Sequence, residues 1–445
     1  MNASIEPLVG AEEVVAELKK HILVDGFEIV LDLERSSGCR IYDAHGDRSL
    51  IDLYSFYASM PIGFNHPYFD KPEVREDILE GALIKVANSD VYTRRYARFV
   101  KTLERVVGVP QLDRYFFIEG GALAVENALK TAMDWKVRKN LAAGRGEIGT
   151  EVLHFRHAFH GRSGYTMSLT NTDPTKVKYY ARFDWPRVSS PRLDYSLPEA
   201  ERLKKVIADE KAAEQEIMAA IEARPHRICA IIIEPIQCEG GDNHFRREWF
   251  QTLRRICDQH EMLLIFDEVQ TGMGMSGKTW CWQHYDVIPD ILAFGKKAQV
   301  CGIMVGRRID DVPENVFKVS SRINSTWGGN FTDMVRSTHY LTIIEKERLV
   351  ENAKAMGERF LQQLQNLQAE ESIISAVRGR GLLMAFDLPD TETRNKFWKG
   401  CFELGLLTLR SGERSIRLRP VLDVKTDVID ESIAIMRDQV RRLSR

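Results

Sequence analysis

The chain has 445 residues, 44% hydrophobic and 28% charged, and its 62 basic against 64 acidic side chains leave a formal net charge of −2. That length exceeds what one simple core fills, so two or three packed units are expected. A charge balance this close to zero argues against nucleic acid or an anionic membrane as the main partner, and no apolar run approaches the ~20 residues of a membrane span.

Seven scattered cysteines without a CxxC pair support neither a disulfide framework nor a thiolate metal site, which points to a reducing cytoplasm. The first 18 residues are acidic and lack an apolar core, so they read as neither a secretory signal nor a transit peptide. In chain order, residues 1–65 combine a helical start over 11–22 with alternating strands at 39–42 and 49–53. From about residue 70 to 330, helical periods alternate with short apolar runs at 114–118, 152–155, 230–233, 263–266 and 291–294. Such runs mark strands buried on both faces, hence an α/β unit with a mostly parallel sheet flanked by helices. A long connecting helix is expected over 344–368, followed by a smaller α+β unit with strands at 381–386 and 415–418 and a last helix over 428–443. The expected division is therefore a large unit over 66–330 and a small one over 331–445, with residues 1–65 packing against the small unit.

Several motifs admit more than one reading. Glu119-Gly120-Gly121-Ala122 lies between a strand and a clean helical period, so bare amides at the positive end of a helix dipole can take an anion there. The alternative is a turn softened by glycine. Gly144-Arg145-Gly146-Glu147-Ile148-Gly149 has the GxGxxG spacing, but helical sequence precedes it and a strand follows, which inverts a dinucleotide fingerprint. It is read as a surface loop. His154, His157 and His160 recur every third residue on a strand running into a turn, so they would not share one face, and metal ligation is not expected.

Two strand ends carry the chemistry. The apolar run 262–266 stops at Asp267-Glu268-Val269-Gln270, and the run 291–294 stops at Gly295-Lys296. A lysine at one buried strand end and an acid at another suit pyridoxal phosphate: Lys296 to form the Schiff base, Asp267 to hold the proton on the pyridine nitrogen. A strand-end lysine is often merely solvated, and Lys297 is a neighbouring rival. A carboxylate behind five apolar residues is harder to explain by structure alone, because burying it unpaired is costly. Phe159 is read as an aromatic plate over a flat ring, with Arg162 as a carboxylate fork or else a surface ion pair.

These residues resemble the class III, ornithine-type aminotransferases of fold type I, from about residue 54 to 420. Phe266-Asp267-Glu268-Val269-Gln270 and Asp290-Ile291 followed by Lys296 match the family's lysine-attachment signature in type and register, which selects Lys296 over Lys297. Gly63-Phe64-Asn65-His66-Pro67, Phe159-His160-Gly161-Arg162, Glu234-Pro235-Ile236-Gln237 and Ser325-Thr326-Trp327-Gly328-Gly329-Asn330 follow in family order. The resemblance implies that Gln270 touches the cofactor's phenolic oxygen, and that Phe159 and Val269 sandwich its ring. It implies further that Gly121 and Ala122 cup the phosphate, and that Thr326 reaches that phosphate from a neighbouring subunit of a homodimer with shared sites. Ala122 stands where the family commonly has a hydroxyl, and Asn324, where it usually has glycine, is assigned to substrate.

Within the family, the segments 234–242 and 415–420 resemble the subgroup acting on the terminal amines of 4-aminobutyrate and L-lysine, and 56–59 and 294–302 are most similar to its L-lysine branch. This implies L-lysine and 2-oxoglutarate as substrates and L-glutamate as a product. A non-catalytic dimeric binding protein would require loss of the lysine or the acid. Because the reacting carbon carries a carboxylate in one half-reaction only, a gate is expected in which Glu239 pairs with Arg419 and swings aside for 2-oxoglutarate, while Arg162 holds the distal carboxylate. A static Glu239–Arg419 bridge is the alternative, and Arg417 is assigned to the opposite strand face.

Overall fold

The structure, a computed structural model, describes residues 6–443; positions 1–5 of the amino-terminal unit and 444–445 of the last one lie outside the described residues. Its main sheet has seven strands in the order Arg114–Ile118, Cys301–Val305, Ile291–Phe294, Leu263–Asp267, Ile228–Ile233, Glu151–Phe155 and Arg187–Val188. The five apolar runs read from the sequence are all strands of this sheet. Alternation along them explains why: Ile231, Leu264, Phe266, Leu292 and Phe294 enter one core with Trp249 and Phe250. Ala230, Ile232, Leu263, Ile265 and Ala293 enter another with Val125 and Leu129 of the helix Gly121–Ala142. Both faces are dry, so no polar alternation survives.

The sheet is parallel except for Cys301–Val305, which runs antiparallel to both neighbours. The sequence reading missed this strand because Gly302 interrupts it. Glycine is needed there: a Cβ at Gly302 would sit 2.3 Å from the Phe116 carbonyl oxygen.

A four-stranded antiparallel sheet, Ser375–Arg380, Leu383–Asp387, Ser415–Leu418 and Leu409–Ser411, follows in the carboxyl-terminal part. The amino-terminal strands Leu31–Ser37, Arg40–Asp43 and Arg48–Asp52 form a further sheet, whose fourth member is Leu406–Leu407, parallel to Arg48–Asp52. The single helix expected over 344–368 is two, Phe331–Lys346 and Leu349–Glu370, broken where Arg348 takes a left-handed φ of 53°. Charge and leucine content continue through the break, so periodicity alone conceals it. The GxGxxG segment is a surface loop between the helix Gly121–Ala142 and the strand Glu151–Phe155.

Candidate active site

The carboxyl ends of the parallel strands lead into the segments holding Gly120, Phe159, Glu234, Asp267 and Lys296, the edge where open α/β sheets bind ligands. There a cavity of about 370 Å³ is lined by Gly121, Ala122, Phe159, Arg162, Glu239, Asp267, Val269, Gln270 and Lys296. Nine of the twelve anticipated site residues meet in it.

Lys296 follows directly on Ile291–Phe294 and sits at φ 49°, a left-handed conformation disfavoured for a side chain of this kind. Burial, with the nearby positive charge of Arg417, pushes its amine below the ordinary lysine range. A depressed ammonium is a neutral nucleophile at lower pH. Lys297 turns elsewhere: it is buried, and its Nζ donates to the Met60 carbonyl at 2.7 Å.

Asp267 is 6% exposed. Its Oδ1 accepts the Val269 N–H at 3.1 Å, and its Oδ2 lies 2.8 Å from His160 Nδ1. The sequence reading gave His160 no role; here it braces the carboxylate. Glu234 was also missed. It is buried, its Oε1 accepts the Phe159 N–H at 2.9 Å, and burial beside Asp267 pushes its carboxyl well above the usual range. Through that hydrogen bond it fixes the backbone of the aromatic plate. The signal was available in Glu234-Pro235, an acid directly after the buried strand Ile228–Ile233.

At the other end, the helix Gly121–Ala142 starts after Gly120, at φ 96°, with no side chain capping its first amides. A Cβ on Gly121 would come 2.9 Å from Val269 Cγ1, so glycine keeps the amides open while Val269 packs close. Gln270 Oε1 accepts from Arg417 Nη1 at 3.2 Å and Arg419 Nε at 3.4 Å. That fixes the amide and leaves its nitrogen without a partner among the described residues. An open helix terminus, a deprotonable amine, a braced acid and a free amide donor are the donor set that pyridoxal phosphate requires, so the residues fit that cofactor.

The gate differs from expectation. Glu239 Oε2 pairs with Arg417 Nη2 at 2.9 Å, and its Oε1 meets Lys176. Arg419, fully buried, is bound to Asp242. Residues two apart on a strand share a face, so assigning Arg417 to the opposite one was the error; both guanidinium groups reach Gln270. Burial opposes the charged form of Glu239, and Arg417 with Lys176 more than offsets it, holding its carboxyl below the usual range. Lys176 also lies 5.4 Å from the centroid of Phe159. Arg162 stands exposed at the rim without an ion pair among the described residues. Thr326 and Asn324 are exposed and do not line this cavity.

A family model described as Aminotransferase class-III matches residues 24–440.

The chain belongs to the class-III aminotransferases.

It is 49% identical to the L-lysine-epsilon aminotransferase of Mycobacterium tuberculosis, over 94% of this chain and 93% of that protein. The L-lysine-epsilon aminotransferase of Streptomyces clavuligerus is 46% identical, over 97% and 94%. Among solved structures, the lysine aminotransferase of M. tuberculosis in its internal aldimine form superposes with a TM-score of 0.96 at 48% identity, covering 98% of this chain and 100% of that one. The chain is thus an aminotransferase of fold type I that uses pyridoxal phosphate.

Proposed function

We propose that this aminotransferase moves the ε-amino group of L-lysine to 2-oxoglutarate, yielding L-glutamate and 2-aminoadipate 6-semialdehyde, which cyclises. The observation that carries the reading is Glu239 shared between Arg417 and Lys176 in the cavity wall while Arg162 stands unpaired at the rim. Lysine brings one carboxylate, far from its reacting carbon, and Arg162 is placed to take it. 2-Oxoglutarate brings a second, next to the reacting carbon, and needs Arg417. Exchanging Glu239 for that carboxylate keeps a buried arginine paired throughout, avoiding the several kcal/mol that an orphaned charge costs. Identity of 49% to an L-lysine-epsilon aminotransferase, against 29% to the 4-aminobutyrate aminotransferase of Rattus norvegicus, favours lysine over that substrate.

Bound pyridoxal phosphate supplies the aldehyde that carries the amino group and a ring that accepts electron density from the carbon losing its proton. Asp267, braced by His160, would hold the positive charge of the ring nitrogen. The Nζ of Lys296 would take the proton from the substrate carbon bearing the transferred nitrogen and give it to the cofactor carbon that receives that nitrogen. Gln270 would donate from its amide nitrogen to the ring's phenolic oxygen. Phe159 and Val269 would confine the ring, and the Gly121 and Ala122 amides would hold the phosphate.

Thr326 of the partner subunit completes the phosphate site of a homodimer, and Asn324 of the partner subunit faces substrate. Their exposure, and that of Leu83, Ile84, Val91 and Tyr92, supports such an interface. Residues 1–65 act with the small unit 331–445 around the large unit 66–330, supported by the pairing of Leu406 with Ile51. Seven unpaired cysteines support a cytoplasmic setting. The test is turnover of lysine and of 4-aminobutyrate with 2-oxoglutarate, trapping the cyclised product with o-aminobenzaldehyde. Turnover of 4-aminobutyrate alone would refute the lysine assignment.

A further inference from the structure

The segments 56–59 and 294–302, which carry the likeness to the L-lysine branch, meet in the fold. After the strand Ile291–Phe294 the chain makes one tight turn, Lys296–Ala298, bounded by two left-handed residues, Lys296 at φ 49° and Gln299 at φ 62°. Neither residue type favours that conformation, so it persists only where neighbours hold it. The Gln299 N–H closes the turn on the Lys296 carbonyl at 2.8 Å. The Gln299 side chain repeats the contact: Nε2 donates to the same carbonyl at 3.2 Å and to the Ser59 carbonyl at 2.8 Å.

The facing segment is wound the same way. Ser55, Phe56, Tyr57 and Ala58 have φ of 38°, 51°, 57° and 66°, four successive left-handed residues without a glycine. The start of this segment is pinned by Asp52 Oδ1, which accepts the Tyr54 and Ser55 N–H groups at 2.8 and 2.7 Å. The Ser55 hydroxyl adds a bond to the Arg419 carbonyl at 2.6 Å. Its end is pinned by Gln299 at Ser59 and by Lys297 at Met60. Between the two, Tyr57 lines a cavity of about 360 Å³ together with Lys176, Glu239 and Arg417. One half-buried amide thus joins the backbone of the reactive lysine to a segment of the amino-terminal unit that borders the Glu239 wall. Gln299 itself does not line the cavity that holds Lys296 and Asp267.

We infer that Gln299 is a positioning residue of the transamination: its amide fixes the Lys296 turn against segment 55–60 and so sets the direction in which the Lys296 amine points. Without that amide the turn keeps a single backbone bond, and its two left-handed residues relax toward commoner conformations. Lys296 then stays at the strand end but loses its aim, and reaction geometry is sensitive to displacements of about 1 Å. Because the same amine serves both half-reactions, both suffer alike. The inference depends on Lys296 and not on the identity of the amino donor, so failure of the lysine assignment would leave it standing.

The test is Gln299→Met in the cofactor-loaded enzyme, which keeps the length of the side chain and removes the donor. kcat is expected to fall about tenfold in both half-reactions, with KM for either substrate within about twofold of the native value. The pH midpoint of the bound cofactor's absorbance is expected to rise by about 0.5 unit, because a nitrogen released from its buried direction meets water, which favours its protonated form. Gln299→Asn, which keeps a donor but is too short to span both carbonyls, reads the same quantities if Gln299→Met fails to fold. An unmoved midpoint in whichever variant folds overturns the inference, whatever its thermal stability. A loss confined to KM for one substrate overturns it as well, and would make segment 55–60 a binding element.

Discussion

On the sheet side of the cavity, carboxyl groups are held by backbone and by one fully buried ring: Glu234 by the amides of Phe159 and Cys238, and Asp267 by the amide of Val269 and the imidazole of His160. On the carboxyl-terminal side, Glu239 is held by side chains alone, those of Lys176 and Arg417. Backbone partners cannot leave without unfolding the loop that carries them, whereas long side chains can rotate. In the proposed function, the first wall meets one cofactor that never changes, and the second meets two substrates in turn. Rigidity and exchangeability are therefore written in the type of partner, not in the type of acid.

The sharpest way to break this comparison is on the rigid side. Lys296→Ala is expected to lower transamination by roughly 10⁴- to 10⁶-fold, while borohydride reduction of the native holoenzyme followed by peptide mapping should label position 296. Label at Lys297 would place the amine on the wrong side of the strand end. Asp267→Asn should lower kcat by about 10²- to 10³-fold, with cofactor still bound by absorbance. A variant with full activity would remove Asp267 from the chemistry.

The two arginines sharpen the comparison within one strand. Arg419→Met leaves Asp242 buried and alone, so denaturant unfolding should show a loss of about 3–5 kcal/mol. Glu239→Gln takes the carboxylate from the buried Arg417 but leaves it the amide oxygen of Gln270, so the loss of stability should be smaller, about 1–3 kcal/mol, while kcat/KM for lysine falls about tenfold relative to that for 2-oxoglutarate. Equal effects on both substrates would make Glu239 a static brace.

Much of the rigid wall was legible because it follows from strand ends. Continuous apolar runs gave away the parallel strands, and a charged residue directly after such a run has little choice but to face the ligand edge. His160 and Glu234 escaped because their role is contact with residues 107 and 75 positions away, which no local pattern encodes. Glu239 was picked out by its motif as the proposed gate acid, but its partner was not, since choosing between Arg417 and Arg419 depends on which of two carboxylates each reaches. The break at Arg348 and the strand at Cys301–Val305 were hidden for a related reason. Each depends on one residue's backbone or missing Cβ, against a surrounding composition that points the other way.

The smallest expected effect concerns Lys297, the lysine that faces away from the chemistry. Burial pushes its pKa down to about 7, with Asp52 and Asp423 only partly opposing the shift. Between about pH 7 and its ordinary value, the unfolded chain therefore binds a proton that the folded one does not, and stability contributed at this position rises with pH. Below pH 7 both states are charged and the slope vanishes. Asp52, pushed up to about 6, titrates beneath this window and does not supply the slope. Lys297→Met removes the titration, so the native-minus-variant unfolding free energy should climb with pH from 7.5 to 9.5, by about 1.4 kcal/mol per pH unit at most. A flat difference over that range would mean that this amine reaches water, and that the second lysine is as free to move as the first.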